Sequence, residues 1–432
     1  MDYLLLLMGS NPLPNYVSSA YLLDSARDDL DPLPLPGTVI FLHSSQTLPF
    51  AENAITLLQR NYPSTHFVKY NLNADQFDPK EINSAVQSII SIEDCESFHF
   101  NYTGGTKPMS AHSLLTVGLS DLSNIIISYT DPMGCRLIVN DLDYNVSTYP
   151  VQNDLRYKID MSFEDIRSLH GITRGNTGRT TPNDLDILAE SLGPRIASKF
   201  SRNVKEPIKT LCKINVNQNG KIFYKGSEVP NFRQLFQIIE NEMVSLQQKY
   251  QIEYNPETKN ISFSDNVTTT NIENIDPSVF IGFITGKWLE HLVFKKLSQL
   301  KDNGNITGIT DIRMGAEPQY QDRPCELDVV VMKGYQLFLI SCTTSQEIKT
   351  IKQKAFEALY RAEQFGGEHA QVIVVSLMYN RQVNRINFSR NNNLEELQKD
   401  LQSFQAASRC HLIGIEDIRD NKISEKLSSI IG

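Results

Sequence analysis

The chain has 432 residues, 40% of them hydrophobic and 21% charged, a globular composition with more length than one ordinary core requires. No apolar run reaches the length of a membrane span; YLLLLM (3–8) is the length of a buried strand and lacks the flanks of a signal peptide. Net charge is −9, and residues 1–150 alone carry 6 Lys+Arg against 16 Asp+Glu, so a long nucleic acid is expected only against the near-neutral remainder.

Six cysteines (95, 135, 212, 325, 342, 410) are scattered without CxxC spacing, which predicts reduced thiols in a cytoplasmic protein rather than disulfides or zinc. In chain order, strands are predicted at 3–9, 38–44, 65–72, 97–104, 124–130 and 135–141. Helices are predicted at 49–62, 79–92 and 107–120. This alternation predicts a doubly wound parallel sheet over 1–150, whose ligands bind beyond the carboxyl ends of its strands. Residues 151–275 are read as a connecting region. It has helices at 181–200 and 229–251, short hairpins around 221–226 and 258–266, and a polar connection over 265–278. Residues 276–432 then open with an amphipathic helix (279–300), a hairpin (326–342), a helix (348–367) and a strand (370–378), the order of a mixed α/β domain.

Three polar loops follow predicted strands of the first sheet: MGSNPLPN (8–15), HSSQT (43–47) and NYTGGTKPMSAH (101–112). Two glycines let backbone N–H groups approach a ligand, Thr103 and Thr106 add hydroxyls, and Lys107 adds a cation at a helix start. A plain glycine turn beside a solvated lysine is the alternative for the last loop alone. Neither TGGTKP nor GFITGKW (282–288) has the spacing and ending of a Walker A loop.

These loops, TGGTKPM above all, resemble the CARF (Rossmann-like) domain of CRISPR ancillary proteins. The resemblance covers about residues 1–150 and implies a homodimer that binds cyclic oligoadenylate, most simply cyclic tetra-adenylate, on a two-fold axis. Carried over by position, it implies ligand contacts at Gly9, Ser10, Asn11, Pro12, Asn15, Ser44, Ser45, Gln46, Thr47, Thr103, Gly104, Gly105, Thr106, Lys107 and Met109.

GKWLEHLV (286–293), ELDVVV (326–331) and FEALYRAEQFGG (356–367) resemble the restriction-endonuclease-like PD-(D/E)XK fold attached to CARF domains in the same family. Phosphodiester hydrolysis there needs carboxylates for Mg²⁺ or Mn²⁺ and a cation for the extra negative charge. The resemblance implies metal ligands at Glu290, Asp328 and Glu357, with Lys354 as the catalytic lysine. The strand positions that would carry the second acid and the lysine are Ser341 and Thr343. A carboxylate and lysine moved to the next helix restores the chemistry, although a K-x-x-E pair is also an ordinary surface salt bridge. Lys287, Lys349 and Lys352 are further cations nearby in sequence.

The expected function is therefore a cyclic oligoadenylate-activated, metal-dependent nuclease of type III CRISPR antiviral defence, acting on DNA or RNA. A regulator that has lost hydrolysis is the main alternative, and a sensor domain that cleaves its own ligand is the third. Zinc-hydrolase and serine-hydrolase spacings are not found in the sequence.

Overall fold

The protein is described by a computed structural model covering residues 2–24, 33–72, 76–91, 95, 97–122, 124–141, 154–200, 214–216, 222–224, 227–228, 250–255, 257–258, 260–265, 270–320, 323–381, 393–403 and 408–432. The predicted helix over 229–251 lies almost wholly outside these residues.

Leucine, isoleucine and valine runs place β1 (Asp2–Leu7) and β2 (Thr38–His43) in the middle of the first sheet, where both faces are covered. β3 (His66–Asn71), β4 (Ser97–Asn101), β5 (Ile125–Asp131) and β6 (Arg136–Asp141) complete it in the order β3-β2-β1-β4-β5-β6. Helices α1 (Leu13–Leu23), α2 (Leu48–Asn61), α3 (Pro79–Ile90) and α4 (Lys107–Gly118) join the strands. Pro79 and Pro108 sit at helix starts, where a missing N–H costs nothing, and the Thr106 hydroxyl caps α4 by accepting from the Met109 N–H.

Two features differ from the sequence reading. β6 runs antiparallel to β5, because residues 132–135 are too few for a crossover. The LPNYVSSAYLL stretch forms α1, a helix buried on nearly every side, so it lacks the polar face that periodicity would reveal.

Farther along, α5 (Phe163–Leu169) and α6 (Asp184–Phe200) precede an antiparallel meander of β7 (Tyr250–Asn255), β8 (Asn260–Asp265) and β9 (Thr270–Ile275). β9 corrects the expected polar connection over 265–278. Its apolar Ile272 and Ile275 are buried against the core, enough to hold an otherwise polar strand.

Helical turns at Pro277–Gly282 and a π-helical turn at Phe283–Lys287 lead into α7 (Trp288–Asp302). A second sheet of β10 (Ile309–Tyr320), β11 (Leu327–Lys333), β12 (Gln336–Thr343), β13 (Gln371–Ser376) and β14 (Cys410–Ile413) has that order, antiparallel at first and parallel from β12 on. β10 is not among the predicted strands, although Ile312, Met314 and Ala316 alternate with Arg313, Gly315 and Glu317 and are its buried face. α8 (Ile348–Gly366) crosses between β12 and β13, and α9 (Leu394–Ser403), α10 (Ile415–Arg419) and α11 (Ile423–Ile431) finish the chain.

A single hydrophobic core runs from Leu4, Leu6 and Phe41 in the first sheet, through Phe163, Ile166 and Leu169 of α5, to Leu337, Leu339, Ala355 and Phe365. The two sheets are thus packed into one body around α5 and α8. A second core joins α6 and the meander to Trp288, Val329 and Ile340. Asp186 of α6 accepts from Arg179 and pairs with His291 of α7 at 2.7 Å, tying the connecting stretch to the second sheet.

At the crevice between β1 and β4, where the strand order reverses, the following loops touch backbone to backbone. A Cβ on Gly104 would overlap the Leu7 carbonyl and press on the Asn15 amide. Gly104→Ala is expected to cost about 1–3 kcal/mol of stability, measured by chemical denaturation, since the nearest atom is a backbone carbonyl oxygen that cannot step aside.

Candidate active site and ligand cavity

In β11 every residue but Asp328 is buried, and Asp328 lies half-buried between Leu327 and Val329. Its Oδ2 accepts the Cys342 backbone N–H at 2.7 Å and the Ser341 hydroxyl at 3.3 Å. Ser341 therefore holds the aspartate from the position where the motif's second acid was missing. Thr343 instead accepts the Ser345 N–H, a local turn bond.

Glu290, in the first turn of α7, meets Asp328 across this hairpin. Burial first, then the charge of Asp328, pushes the Glu290 carboxyl up to about 7, against the pull of Lys287 and Lys354. Burial also raises the Asp328 carboxyl, opposed by the Cys342 N–H and by Lys354. The structure thus gathers Glu290, Asp328 and Lys354 into one electrostatic cluster, with Lys354 in no ion pair among the described residues.

Glu357 lies three residues on along α8 and is exposed; the thiol of Cys325, not Glu290 or Asp328, feels its charge. Of the spare lysines, Lys352 is bound to Asp400 at 2.8 Å and Lys287 lies 3.9 Å from the exposed Glu326 at the rim. Among the described residues no group of three or more His, Cys, Asp or Glu side chains has metal-holding geometry. The half-buried pair Glu290 and Asp328 nevertheless suits a divalent cation. Mg²⁺ commonly takes one or two carboxylates and completes its shell with water and substrate phosphate, and a cation between these two relieves their repulsion.

A second site opens at the crevice of the first sheet, a cavity of about 640 Å³. Six of the expected ligand residues line it: Gly9, Ser10, Asn11, Thr103, Gly104 and Gly105. The others lie off its wall. Pro12, just before α1, and Met109, in α4, are buried, and Asn15 is fully buried, its amide donating to the Leu7 carbonyl at 2.8 Å. Ser44 and Thr47 are buried and close their own turn by a 3.0 Å bond, leaving Ser45 and Gln46 exposed at its tip. Thr106 serves as the α4 cap, and Lys107 is exposed beyond it.

The remaining wall comes from elsewhere in the chain. Tyr102 and Tyr129 stand with ring centroids 5.3 Å apart on the β4 and β5 side. The wall also includes His170, just after α5, Glu363 and Gln364 of the last turn of α8, and the 3-10 turn Gly367–His369 that follows it. Gly367 has φ +60°, and a Cβ there would overlap the Asn11 side-chain amide. In sequence, FGG reads as a helix stop; nothing local announces that the stop rests on a loop of the other sheet.

Residues 280–408 match the family model described as the Card1-like endonuclease domain. Over its whole length the chain has the fold of protein VC1899 from Vibrio cholerae, at 16% identity and TM-score 0.60, covering 98% of that chain. It likewise has the fold of Can2 from Sulfobacillus thermosulfidooxidans, a structure solved in complex with cyclic tetra-adenylate, at 14% identity and TM-score 0.59 over 100% of both chains. No curated protein matches the sequence.

The raised Glu290 carboxyl sets a pH dependence. The folded state keeps a proton that the unfolded chain releases near pH 4.5, so stability is full below about 4.5 and falls as pH rises toward 7. Without divalent metal, Glu290→Gln should unfold at higher temperature than the parent at pH 8, by up to roughly 3 kcal/mol, and match it near pH 4.5. Mn²⁺ should raise the melting temperature of the parent at pH 8 far more than that of the variant.

Proposed function

We propose that this chain, whose residues 280–408 form a Card1-like endonuclease domain, is a metal-dependent nuclease switched on by a cyclic oligoadenylate bound in the cavity of the first sheet. The observation that carries the reading is the half-buried Glu290–Asp328 pair, under the charge of Lys354, inside the stretch that matches the endonuclease family. Two neighbouring carboxylates partly withdrawn from water are costly to a fold and are kept where a cation or a proton is to be handled.

In this reading Glu290 and Asp328 would hold Mg²⁺ or Mn²⁺. Such a metal lowers the pKa of a bound water and offsets charge on a phosphate. Ser341 and the Cys342 N–H fix the Asp328 carboxylate, leaving its other oxygen to face the metal. Lys354, half-buried on α8, offers its ammonium to the oxygen that gains negative charge as the phosphodiester is attacked. Glu357 stays as an outer carboxylate on the same helix.

The ligand assignment rests on the cavity's glycine loops, whose backbone N–H groups can bind phosphate despite the acidity of residues 1–150. Activation has a physical route in α8, which bears Lys354 near its start and ends against Asn11, about 20 Å away at 1.5 Å per residue. A cyclic ligand of even number can contact two subunits equivalently, which favours a homodimer around it. DNA, RNA or both would be the substrate.

With Mn²⁺ and cyclic tetra-adenylate, the full-length protein should cleave single- or double-stranded nucleic acid. Asp328→Asn and Glu290→Gln should each lower the rate about 10²-fold or more while binding the cyclic ligand as the parent does. Lys354→Ala should slow cleavage comparably, and Glu357→Gln much less. Cleavage of neither DNA nor RNA under any of these conditions would replace this reading with that of a ligand-responsive binding protein, the outcome that the missing acid and lysine at Ser341 and Thr343 would explain.

A further inference from the structure

A cyclic oligonucleotide carries one negative charge per phosphate and one flat, uncharged base beside it, and a cavity can grip it by either. Given the nucleotide reading of the first-sheet cavity, on which this inference rests, its wall is poor in the means to hold phosphate by charge. Among the described residues that line it there is no lysine or arginine, and its two charged side chains are the exposed carboxylates of Glu363 and Glu368. Arg409 lies 3.0 Å from Glu363 and offsets that carboxylate, and Lys107 lies off the wall. The imidazoles of His170 and His369 add no charge at physiological pH, because burial pushes both down to about 4. Phosphates are left with neutral donors such as the backbone N–H groups of the glycine loops.

Aromatic surface is what the wall does offer. In β5 the residues from Ile125 to Ser128 and Thr130 are buried, while Tyr129 stands between them with 36% of its surface open, on the lining of the cavity. Tyr102, just after β4, sets its ring 5.3 Å from that of Tyr129, the planes inclined by 37°. Phe100, fully buried, lies 6.2 Å from Tyr102 in turn, so the exposed ring is backed by one that rests on the core. Phe50, half-buried on α2, is a further ring of the lining.

We propose that the cavity holds its nucleotide by the base rather than by charge, with Tyr129 as the surface on which an adenine lies. Every base has a flat face to set against an aromatic ring, and a purine covers more of the ring than a pyrimidine does. A wall of this kind favours a ligand with a single charge per base. It disfavours a nucleoside triphosphate, which brings several charges on one base to the carboxylates of Glu363 and Glu368.

Calorimetry with cyclic tetra-adenylate and the full-length protein tests the assignment. Raising KCl from about 50 to about 500 mM should weaken binding less than about 5-fold, the loss that a single phosphate paired with a cation would already show. Tyr129→Leu, at an exposed position, should weaken binding about 5-fold or more, and Tyr129→Phe should stay within about 2-fold of the parent. A larger salt effect would mean that cations grip the phosphates and would overturn the assignment. Parent-like binding by Tyr129→Leu would overturn it too, and either result leaves the activator reading intact. Where the leucine variant fails to fold, the salt series on the parent decides the matter. Absence of binding by the parent would mean that the activator reading itself is wrong, and the base assignment would fall with it.

Discussion

The hydrophobic core that both sheets share sets how the rest of the molecule is arranged, and it brings the end of α8 to the loop after β1. There Gly367 meets the Asn11 side chain because it has none of its own, in a conformation of positive φ that other residues rarely adopt. The same helix is fixed along its length by Ile351, Ala355, Ala358 and Phe365, all buried in the core shared by the two sheets. The loop after β1 and the helix that carries Lys354 are therefore packed against one core.

The carboxylate cluster illustrates how a fold keeps costly groups together. Glu290 begins a helix just after a π turn, and Asp328 sits on a strand whose neighbours are fully buried, so neither can withdraw into water. Asp328 is compensated by an N–H and a hydroxyl from the adjacent strand, whereas Glu290 has only charge nearby and is the one whose pKa rises most visibly. The difference between the two acids follows from hydrogen bonding more than from burial.

Much of the candidate site was legible in the residues. Asp328 stood out as an acid inside an apolar strand, Glu290 as an acid in an apolar helical stripe, and the TGGT loop as a strand-to-helix turn built for close approach. Ser341 was legible only as a gap. Its role as a donor to Asp328 depends on cross-strand register, which sets a serine beside an aspartate thirteen residues earlier. Glu357 and Lys354 look alike in sequence, three apart on one helix. Only the direction in which α8 lies over β12 makes Lys354 face the two acids and turns Glu357 outward. Among the ligand loops, GSN and TGG line the cavity while HSSQT closes on itself, a difference between one turn's internal hydrogen bonds and another's that composition does not record.

Short of α1, α5, β10, β14 and the last three helices, the sequence by itself determined the elements of the two α/β layers and the residue types from which a phosphodiester site could be built. Those depend on periodicity, caps and turn chemistry, which act within a few residues. Tertiary structure alone decided that the sixth strand turns back, that the connecting stretch shares the second core, and that His170 and the end of α8 share a cavity wall with the glycine loops. Residues as far apart as Asn11 and Gly367 meet there because one hydrophobic core is buried more completely when the two sheets share it. No local pattern encodes a contact whose energy comes from surface that both partners lose to water together.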